Sequence, residues 1–470
     1  MRFGMKTVLL ACWLLPIGMV AAAPKPPSKA EIDRAKAFLK EVVSPTPLPK
    51  AQREKVVTLL AQLGAEAWSV RARATKDLIR VGPRAEHLVR PASKSPNLEI
   101  KSRVEEILAA YMDAQAGRAG RVAEAADLLA RAKAPAGIDA LIALIDHGDS
   151  DIRHSVEYAL RRLTGQRFGF NAHDPADQRA APAGKWRAWW KTSRDEFDFT
   201  PALARMRVQG VLACDYMKRE VFIVDLNGKK TWSKKLSQRP YCAAPAPNGN
   251  VLVVLYDDKG ESTIEEYNRQ GKKVWNADKL ALRRLQDVAR LSNGNTLTTD
   301  PMGRRVIEVV PKTQKIVWQY NTGNTDMKAI QGLPNGNTLV CLYAGQVQEI
   351  SRGGKVVWEL AGLSSPLDAQ KLPNGNVLIT EYGRRRIVEL TVSGKEVWQW
   401  SPSNAVRRPF SARRLPDGRT VVQVRGQGIV LVDSGGKVVR ELTKNVPRCF
   451  EKIRLVYTPV PTKPPPRRPS

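Results

Sequence analysis

The 470 residues predict a multidomain α + β protein, an N-terminal α-helical solenoid followed by a six-bladed β-propeller. Two observations carry this prediction. Up to about residue 165, apolar residues recur at steps of three and four, which is the spacing of amphipathic helices. Beyond about residue 205, two short motifs recur roughly every 42 residues, which is the length of a four-stranded propeller blade.

The first motif is a tight turn of the type Leu-Pro-Asn-Gly. Its glycines are separated by steps of 45, 42, 39 and 43 residues and occupy positions Gly249, Gly294, Gly336, Gly375 and Gly418. The second motif, Gly-Lys-x-Val-Trp or a variant, ends at positions Trp232, Trp275, Trp318, Trp358, Trp398 and Arg440. Its six copies predict six blades.

The copy that begins at Asp368 shows how one blade is built. Its first strand leads to Asn374-Gly375, a pair that predicts a type I′ turn with two positive φ angles. The runs that follow supply the second, third and fourth strands. We therefore expect the turn motif to have a structural role first.

The two ends of the repeat predict ring closure. The first copy, from about residue 211, lacks an opening strand, whereas the segment around Phe450 resembles one. We expect this segment to pair beside residues 211–214, so that the last strand completes the first blade and leaves no exposed sheet edge.

An acidic and a basic residue flank the turn between the second and third strands in three blades. These pairs are Asp215 with Arg219, Asp300 with Arg304, and Glu381 with Arg385. Opposite charges across a hairpin form a local staple, which is the interpretation that we favour over a ligand site.

The helical part resembles HEAT-type repeats. The phrases Ser-Val-Arg-Ala-Arg-Ala from Ser69 and Asp-Ile-Arg from Asp151 carry the resemblance. It implies stacked helix pairs that offer a concave face to protein partners or pack on a neighbouring domain. A separate helix precedes them and begins at a capping box formed by Ser28 and Glu31.

These elements divide the chain into six parts. Their predicted bounds are 1–23 for a signal peptide, 24–50 for an N-terminal helix and Pro-rich linker, 51–168 for the HEAT-like repeats, 169–204 for a Trp-rich connector, 205–458 for the propeller and 459–470 for a disordered Pro/Arg-rich tail. The connector holds Trp186, Trp189 and Trp190. Such a cluster docks one domain onto another, or alternatively stacks a sugar or a base.

The first residues predict export. Arg2 and Lys6 precede an apolar run over 8–20 and small residues over 21–23, the pattern of a cleaved secretory signal. A retained anchor is the alternative, although the run is shorter than the roughly 20 residues that span a bilayer. We therefore expect a soluble extracytoplasmic protein, periplasmic or secreted. Its candidates for disulfides or for buried free thiols are Cys214, Cys242, Cys341 and Cys449.

The chain is strongly basic, with 76 Lys and Arg against 46 Asp and Glu and a formal net charge of +30. About two thirds of this excess lies beyond residue 200. Such a field favours anionic partners, among them acidic polysaccharides and other polyanions. The basic residues are scattered and accompany no nucleic-acid-binding motif, so solubility alone is the competing explanation.

The blades resemble NHL and quinoprotein-like (PQQ-like) repeats over about 250 residues, and the paired motifs also resemble aryl sulfotransferase-like propellers. The helical region ahead of such a propeller is similar to secreted proteins of planctomycete-type bacteria. The resemblance implies the fold and leaves the activity open. Quinoprotein dehydrogenases have eight blades and adjacent cysteines, so we expect no bound quinone cofactor here.

The sulfotransferase-like proteins use axial histidines, one of them just before the aspartate of the opening strand. In this chain the corresponding positions hold Tyr241, Gln286, Leu367, Phe410 and Phe450. All four histidines precede the propeller. A covalent sulfo-enzyme or a histidine-based lyase therefore lacks its nucleophile or base.

Carboxylates occupy one opening-strand position in alternate blades, at Asp287, Asp368 and Glu451. The other blades carry Cys242, a residue like Ala329, and Ser411. If the position faces the axis, three hard oxygen ligands could hold Ca²⁺, as in metal-dependent six-bladed lactonases. Alternatively, the acids bond to backbone amides or pair with channel arginines such as Arg413.

Two functions follow from these observations. The first is a secreted, non-catalytic binding or scaffold protein that uses its helical repeats and a basic propeller for protein or polyanion interaction. The alternative is a metal-dependent hydrolase or lactonase centred on the three axial carboxylates. The missing histidines favour the first.

Overall fold

The structure is a computed structural model. It describes residues 26–44, 48–115, 118–172, 174–280, 282–291, 293–323, 326–404, 406–443 and 452–457. The predicted signal peptide, the predicted tail, Cys449 and Glu451 lie outside the described residues.

The N-terminal part is helical, as predicted. Its α-helices are α1 (Lys29–Val43), α2 (Lys50–Gln62), α3 (Trp68–Val81), α4 (Glu86–Val89), α5 (Leu98–Gln115), α6 (Arg118–Arg131), α7 (Ala136–Leu144), α8 (Ser150–Thr164), α9 (Ala176–Ser193) and α10 (Thr200–Met206), with 3₁₀ turns at Pro83–Ala85 and Arg90–Lys94. The predicted capping box starts α1, because the Ser28 side chain accepts from the Glu31 amide and the Glu31 carboxylate accepts from the Ser28 amide. A HEAT-type repeat within these helices stays a prediction.

The helices bury their apolar stripes in two clusters. One is formed by α2 to α5 around Leu63, Leu78 and Ile107. The other joins α1 with α6 to α10, and both Trp186 and Trp190 lie buried in it. The Trp-rich connector thus belongs to the helical core. The alternative in which these two indoles stack a ligand is wrong, because their rings are covered by helical neighbours.

The second part consists of six four-stranded antiparallel sheets, which confirms the predicted number of blades. The strands are β1 (Val208–Asp215), β2 (Glu220–Val224), β3 (Lys230–Lys235), β4 (Arg239–Pro245), β5 (Val251–Tyr256), β6 (Ser262–Tyr267), β7 (Lys273–Asn276), β8 (Val288–Arg290), β9 (Thr296–Asp300), β10 (Arg305–Val310), β11 (Lys315–Asn321), β12 (Met327–Gly332), β13 (Thr338–Leu342), β14 (Gln346–Ile350), β15 (Val356–Leu360), β16 (Pro366–Lys371), β17 (Val377–Glu381), β18 (Arg386–Leu390), β19 (Glu396–Trp400), β20 (Pro409–Arg414), β21 (Thr420–Val424), β22 (Gly428–Val432), β23 (Val438–Glu441) and β24 (Arg454–Tyr457).

The ring closes as predicted, because β24 pairs with β1 in a sheet of order β24-β1-β2-β3. Among the described residues of this strand, Arg454 lies opposite Leu212 and Leu455 opposite Val211, within the predicted range 211–214. The opening strands of the other five sheets are β4, β8, β12, β16 and β20.

The turn motif does not form the predicted type I′ turn. At residues 372–376, the Gly375 amide donates to the Leu372 carbonyl at 2.9 Å, and the Leu372 amide donates to the Asn376 carbonyl at 2.8 Å. Gly375 has φ +87°, whereas Asn374 is not among the residues with positive φ. These contacts describe a four-residue turn with Pro373 at its second position, followed by a left-handed glycine bulge.

The predicted charge staples are shifted by one residue. Asp300 pairs with Arg305 at 2.8 Å, and Glu381 pairs with Arg384 and Arg386 at 2.8 and 2.6 Å. The residues predicted as partners instead occupy the left-handed position of each turn. These are Arg219, Arg304 and Arg385, with φ of 48°, 52° and 56°.

The repeated tryptophans clamp each blade to the next. Their indole Nε1 atoms donate to a carbonyl oxygen in the following blade, in the pairs Trp232–Arg269, Trp275–Pro311, Trp318–Arg352, Trp358–Val392 and Trp398–Ser434, at 2.8 to 3.0 Å. In the sixth blade Arg440 takes this position. The second motif thus joins neighbouring blades, which explains its regular spacing.

The helical region lies on the propeller face that carries the Leu-Pro-Asn-Gly turns, which we call the turn face. Asp113 of α5 accepts bonds from the Ser393 amide and hydroxyl at 2.9 and 2.8 Å. Gly120 of α6 packs so closely on Pro373 that an added Cβ would lie 2.6 Å from its carbonyl oxygen. Within the described residues, no helix is long and apolar enough to cross a membrane.

Candidate functional site: an arginine-lined cleft above the propeller axis

A cleft of about 2780 Å³ separates the helical region from the turn face. One wall is formed by α5, α6 and α8. The floor is formed by leucines and prolines of the repeated turns, namely Leu291, Leu333, Pro334, Leu372, Pro373, Leu415 and Pro416. Each blade places its turn at the same end of the first strand, so the repeat itself builds a continuous floor around the axis.

The cleft is basic. Fourteen arginines and one lysine line it, against ten carboxylates. Arginine presents several donors in a planar fork that matches carboxylates and phosphates, whereas lysine acts as a compact point charge. The near-exclusive use of arginine therefore suits recognition of anionic groups by directed hydrogen bonds.

Part of the helical wall has unused hydrogen-bonding capacity. Asp127 binds Arg162 across α6 and α8, and Tyr158 lies 5.2 Å from the Arg162 guanidinium. Within the described chain, the second carboxylate oxygen of Asp127 and the Nε of Arg131 have no hydrogen-bond partner. Tyr457, the last residue of β24, lies beside this group, and burial raises the pKa of Tyr457 to about 12. Buried polar groups are normally paired, so this group is an incompletely satisfied polar cluster in the helical wall.

The glutamates at the floor hold the blades together. Glu349 accepts from the side-chain amides of Asn335 and Asn337, both at 2.8 Å. Lys371 of the next blade lies 3.7 Å from the same carboxylate and 4.1 Å from the ring of Trp358. The same Asn–Glu–cation pattern recurs at Glu308. These carboxylates are therefore neutralised by their own structure. Nine of the fourteen cleft arginines are ion-paired as well, so the uncompensated charge comes from the five that form no ion pair within the described residues, Arg118, Arg131, Arg167, Arg207 and Arg269.

A buried charge cluster lies at the axis below the cleft, and Asp287 is one of its two described carboxylates. Arg454 donates to both of its oxygens at 2.7 and 2.6 Å, and Lys452 lies 3.4 Å away. Backbone amides of Val288 and Ile330 complete the shell, each at 3.0 Å. Asp287 is only 1% exposed.

Asp368 is the second carboxylate. Arg413 donates to its two oxygens at 2.7 and 3.1 Å, the Ser411 hydroxyl also binds it, and the Ala369 amide donates at 3.0 Å. Burial by itself raises the pKa of Asp368, but the adjacent Arg413 and Arg454 outweigh it and hold that pKa below its usual range. Asp368 therefore stays ionised near neutral pH.

The register of the closing strand determines which described residue of the first blade lies at the axial position. Pairing of Leu212 with Arg454 and of Val211 with Leu455, continued along β1, sets Lys452 opposite Cys214. In the fifth blade Asp368 holds the equivalent place opposite Thr380. Lys452 thus places a cation at the axial position of the first blade, and the third predicted ligand, Glu451, lies outside the described residues. Ala329 is found at its predicted place.

Of the predicted metal ligands, the structure brings Asp287 and Asp368 around one axis, and Glu451 lies outside the described residues. In the described part of the chain, no group of three or more metal-ligating side chains is present. The two carboxylates match the second interpretation, in which they pair with channel arginines and backbone amides. A Ca²⁺ site that includes Glu451 stays a prediction.

The described cysteines are buried thiols. Cys214, Cys242 and Cys341 are at most 1% exposed, and none of these three forms a disulfide. Burial raises the pKa of Cys242 and Cys341, and the carboxylates of Asp287 and Asp368 raise it further. These thiols are therefore packing residues and poor nucleophiles.

The sequence predicts the two axial aspartates but does not predict the cleft. Its arginines come from segments far apart in the chain, such as Arg131, Arg290 and Arg419, and only the docking of α6 on Pro373 brings them together. The overall basic charge was the signal available in the sequence. The sequence does not show that basic residues from distant segments meet in one cleft.

A comparison with protein families supports the propeller fold, and two solved structures show a weaker similarity. A PQQ-like family model described as outer membrane protein assembly factor BamB matches residues 183–346, about a third of the chain. A protein of unknown function from Bacteroides caccae is 18% identical with a TM-score of 0.43, over 53% of this chain and 99% of that one. Virginiamycin B lyase from Staphylococcus aureus is 18% identical with a TM-score of 0.35, over 43% of this chain and 68% of the lyase. The comparison with curated proteins gave no match.

Proposed function

We propose that the protein is a non-catalytic, extracytoplasmic binding protein that holds an acidic segment of a partner protein in the cleft. The observation that carries the proposal is a set of five arginines that line the cleft and form no ion pair within the described residues, Arg118, Arg131, Arg167, Arg207 and Arg269. An excess of positive charge in a groove with apolar surface attracts acidic segments and orients them before contact.

The dimensions of the cleft suit a polypeptide segment. Its volume exceeds the several hundred to about 1,000 Å³ typical of a small-molecule pocket. Its walls also offer apolar contacts, because Met112, Tyr158 and Tyr457 are 46%, 43% and 38% exposed. An extended segment with acidic and apolar side chains would use both kinds of surface.

The axial carboxylates support a binding role over a hydrolytic one. A general acid has to carry a proton near neutral pH, whereas Arg413 and Arg454 hold the pKa of Asp368 low. A general base has to be accessible to water, and Asp287 is enclosed by Arg454, Lys452 and two amides. Both groups act as counter-ions for buried cations.

An extracytoplasmic location follows from the predicted signal peptide. The family model that matches 183–346 is named for an outer membrane assembly factor, which agrees with that location. A protein of this kind would meet its partner outside the cytoplasm, where a basic cleft remains charged over the ordinary pH range because arginine does not lose its proton.

The test uses a fluorescein-labelled oligoglutamate peptide and the protein without residues 1–23, with anisotropy as the readout. We expect binding that weakens as salt is raised. Arg167 and Arg207 line the cleft and are exposed. The double variant Arg167→Glu, Arg207→Glu should weaken binding about tenfold or more.

The matched control reverses two exposed lysines outside the cleft, Lys185→Glu and Lys191→Glu, which changes the net charge equally. It should bind as the natural chain does. Absence of binding by the natural chain, or equal weakening by the two double variants, would overturn the proposal, since the second result means that only the net charge matters.

A further inference from the structure

We infer that the opposite face of the propeller binds an acidic polysaccharide built from uronate residues. This face, which we call the open face, carries the turns between the second and third strands of each blade. The inference stands apart from the cleft, because it concerns the other side of the ring and a different class of partner.

A ring of tyrosines marks the open face. In four of the six blades a tyrosine lies at the end of the second strand. Tyr256 is the last residue of its strand, and Tyr216, Tyr343 and Tyr382 directly follow theirs. Pro301 and Arg425 hold the position in the other two. Because the blades are related by rotation about the axis, equivalent positions form a circle around the mouth of the channel.

Three of these rings are paired with a cation. Arg239 lies 5.6 Å from the ring centroid of Tyr216, Lys328 lies 5.0 Å from that of Tyr343, and Arg408 lies 4.4 Å from that of Tyr382. The cations come from the segments that lead into the opening strands. Each pair thus places an aromatic ring beside a positive charge. Arg239 also lies 3.3 Å from Asp258 and Lys328 lies 2.5 Å from Asp326, so a ligand carboxylate would share these two cations, whereas Arg408 forms no ion pair within the described residues.

Further positive charge surrounds the tyrosines. Arg219, Arg304 and Arg385 occupy equivalent left-handed positions in three of the turns. The carboxylates at the ends of the same second strands are buried and bound to other cations, as in the pair of Asp300 with Arg305. The three arginines at the left-handed turn positions therefore add positive charge to the open face.

The open face is accessible. The contacts of the helical region described above, through Gly120 and Asp113, reach the turn face. On the open face the side chains of Met217, Met302 and Tyr343 are 61%, 60% and 38% exposed. The turns of the open face are therefore reachable from solvent.

The pairing of ring and cation selects the ligand class. A uronate residue combines an apolar C–H face, hydroxyl groups and one carboxylate, and these groups match a tyrosine ring, its hydroxyl and an adjacent guanidinium or ammonium group. A single-stranded nucleic acid needs open ring faces on which its bases can stack. Arg239, Lys328 and Arg408 each lie over one face of a ring, which leaves single rings spaced around the circle for one sugar face each and a cation beside each ring for the carboxylate of that sugar. We therefore infer the uronate and make the nucleic acid an outcome of the test.

The test measures binding by isothermal titration calorimetry with three defined probes. They are an alginate oligosaccharide, which consists of uronates, a neutral cello-oligosaccharide of equal length, and oligothymidylate. We expect the alginate oligosaccharide to bind and the neutral sugar to bind about tenfold more weakly or not at all. Absence of alginate binding, or tighter binding of oligothymidylate than of alginate, would overturn the inference.

Two double variants separate stacking from charge. Tyr216→Ala with Tyr382→Ala removes two rings, and Arg239→Gln with Arg408→Gln removes their cations while the rings remain. Each should weaken alginate binding about tenfold or more, with thermal unfolding used to verify the fold. If the tyrosine variant binds alginate as the natural chain does, the surface acts by charge alone and the inference fails.

The cleft variant Arg167→Glu, Arg207→Glu serves as the control. It should bind alginate as the natural chain does, while its affinity for oligoglutamate falls. Loss of alginate binding in this variant would mean that the sugar binds in the cleft, which would overturn the assignment to the open face. The two proposals can therefore fail independently.

Discussion

Arg454, on the strand that closes the ring, binds both carboxylate oxygens of Asp287 in the third blade, at 2.7 and 2.6 Å. The contact crosses the propeller axis. Arg454 also lies 4.0 Å from Asp368 of the fifth blade. One side chain of the last strand thus connects three blades, so ring closure depends on electrostatics at the axis as well as on the pairing of β24 with β1.

Replacing Arg454 should therefore destabilise the propeller strongly. Arg454→Ala leaves Asp287 buried with a weakened set of partners, and breaking a buried pair in this way costs about 3–5 kcal/mol. Arg454→Lys keeps the charge but loses the paired donors, so its cost should be intermediate. Urea unfolding followed by tryptophan fluorescence measures both. Arg419→Ala, which removes a pair with Asp417 at the surface, should change the free energy of unfolding by less than about 0.5 kcal/mol.

The low pKa of Asp368 predicts a pH-dependent contribution to stability. Since the folded pKa lies below the unfolded one, the ionised group stabilises the fold above about pH 4, and this contribution is lost as the pH falls through the folded value. Asp368→Asn should therefore be less stable than the natural chain at pH 7, and the difference should shrink below about pH 4. Urea unfolding from pH 7 to pH 3 measures it. A difference that stays constant over this range would contradict the assigned cause.

The axis also shows where sequence reasoning reaches its limit. The number of blades and the closure of the ring could be predicted, because every blade repeats the same turn and the same clamp. The identity of the residue at the first axial position could not, because the likeness between 448–456 and 409–415 does not fix the register of a short closing strand. A shift of one residue exchanges the two sides of a strand, and the described register sets Lys452 opposite Cys214 at the axial position.

The turn chemistry illustrates the same limit. Asn374-Gly375 favours a two-residue hairpin, but the side chains of Asn374 and Asn376 bind Glu389 of the third strand. This contact favours the longer turn, in which only the glycine has positive φ. A tertiary contact thus overrides the local preference, and the cleft above the turns depends in the same way on a contact between distant segments, Gly120 and Pro373.

The hydrogen bond from each repeated tryptophan to the next blade should make a modest, measurable contribution to the free energy of unfolding. Trp358→Phe removes the bond from Nε1 to the Val392 carbonyl but keeps an aromatic ring beneath Lys371. We expect a loss of about 1 kcal/mol, the usual net contribution of one hydrogen bond. Thermal and urea unfolding measure the loss. The control is Trp68→Phe in α3, where the side chain is 68% exposed and the change should have almost no effect.

The predicted calcium site can be tested directly. Arg413 and Arg454 already occupy the oxygens of Asp368 and Asp287, so a cation would have to displace them. We therefore expect Ca²⁺ to leave the melting temperature of the natural chain unchanged relative to Mg²⁺ and to chelator. A rise with Ca²⁺ that disappears in Asp368→Ala would instead support the metal-dependent hydrolase.

Two glycine substitutions test whether the helical region is held on the turn face. An added Cβ at Gly120 would meet the backbone of Pro373, with 2.6 Å to its carbonyl oxygen and 3.1 Å to its Cα. Neither atom can move without shifting the turn, so Gly120→Ala should separate α6 from the propeller. We expect a loss of about 1–3 kcal/mol, as in other overpacked contacts, together with weaker binding of oligoglutamate in the cleft.

Gly184→Ala is the matched control, because this position also lies in a helix, α9, and an added Cβ there meets nothing within 4 Å. Alanine favours helices over glycine by up to about 1 kcal/mol, so this variant should be at least as stable as the natural chain. Calorimetry should resolve opposite shifts of the melting temperature for the same chemical change. If Gly120→Ala were as stable as Gly184→Ala and still bound oligoglutamate fully, the contact between α6 and the turn at Pro373 would not hold the cleft together.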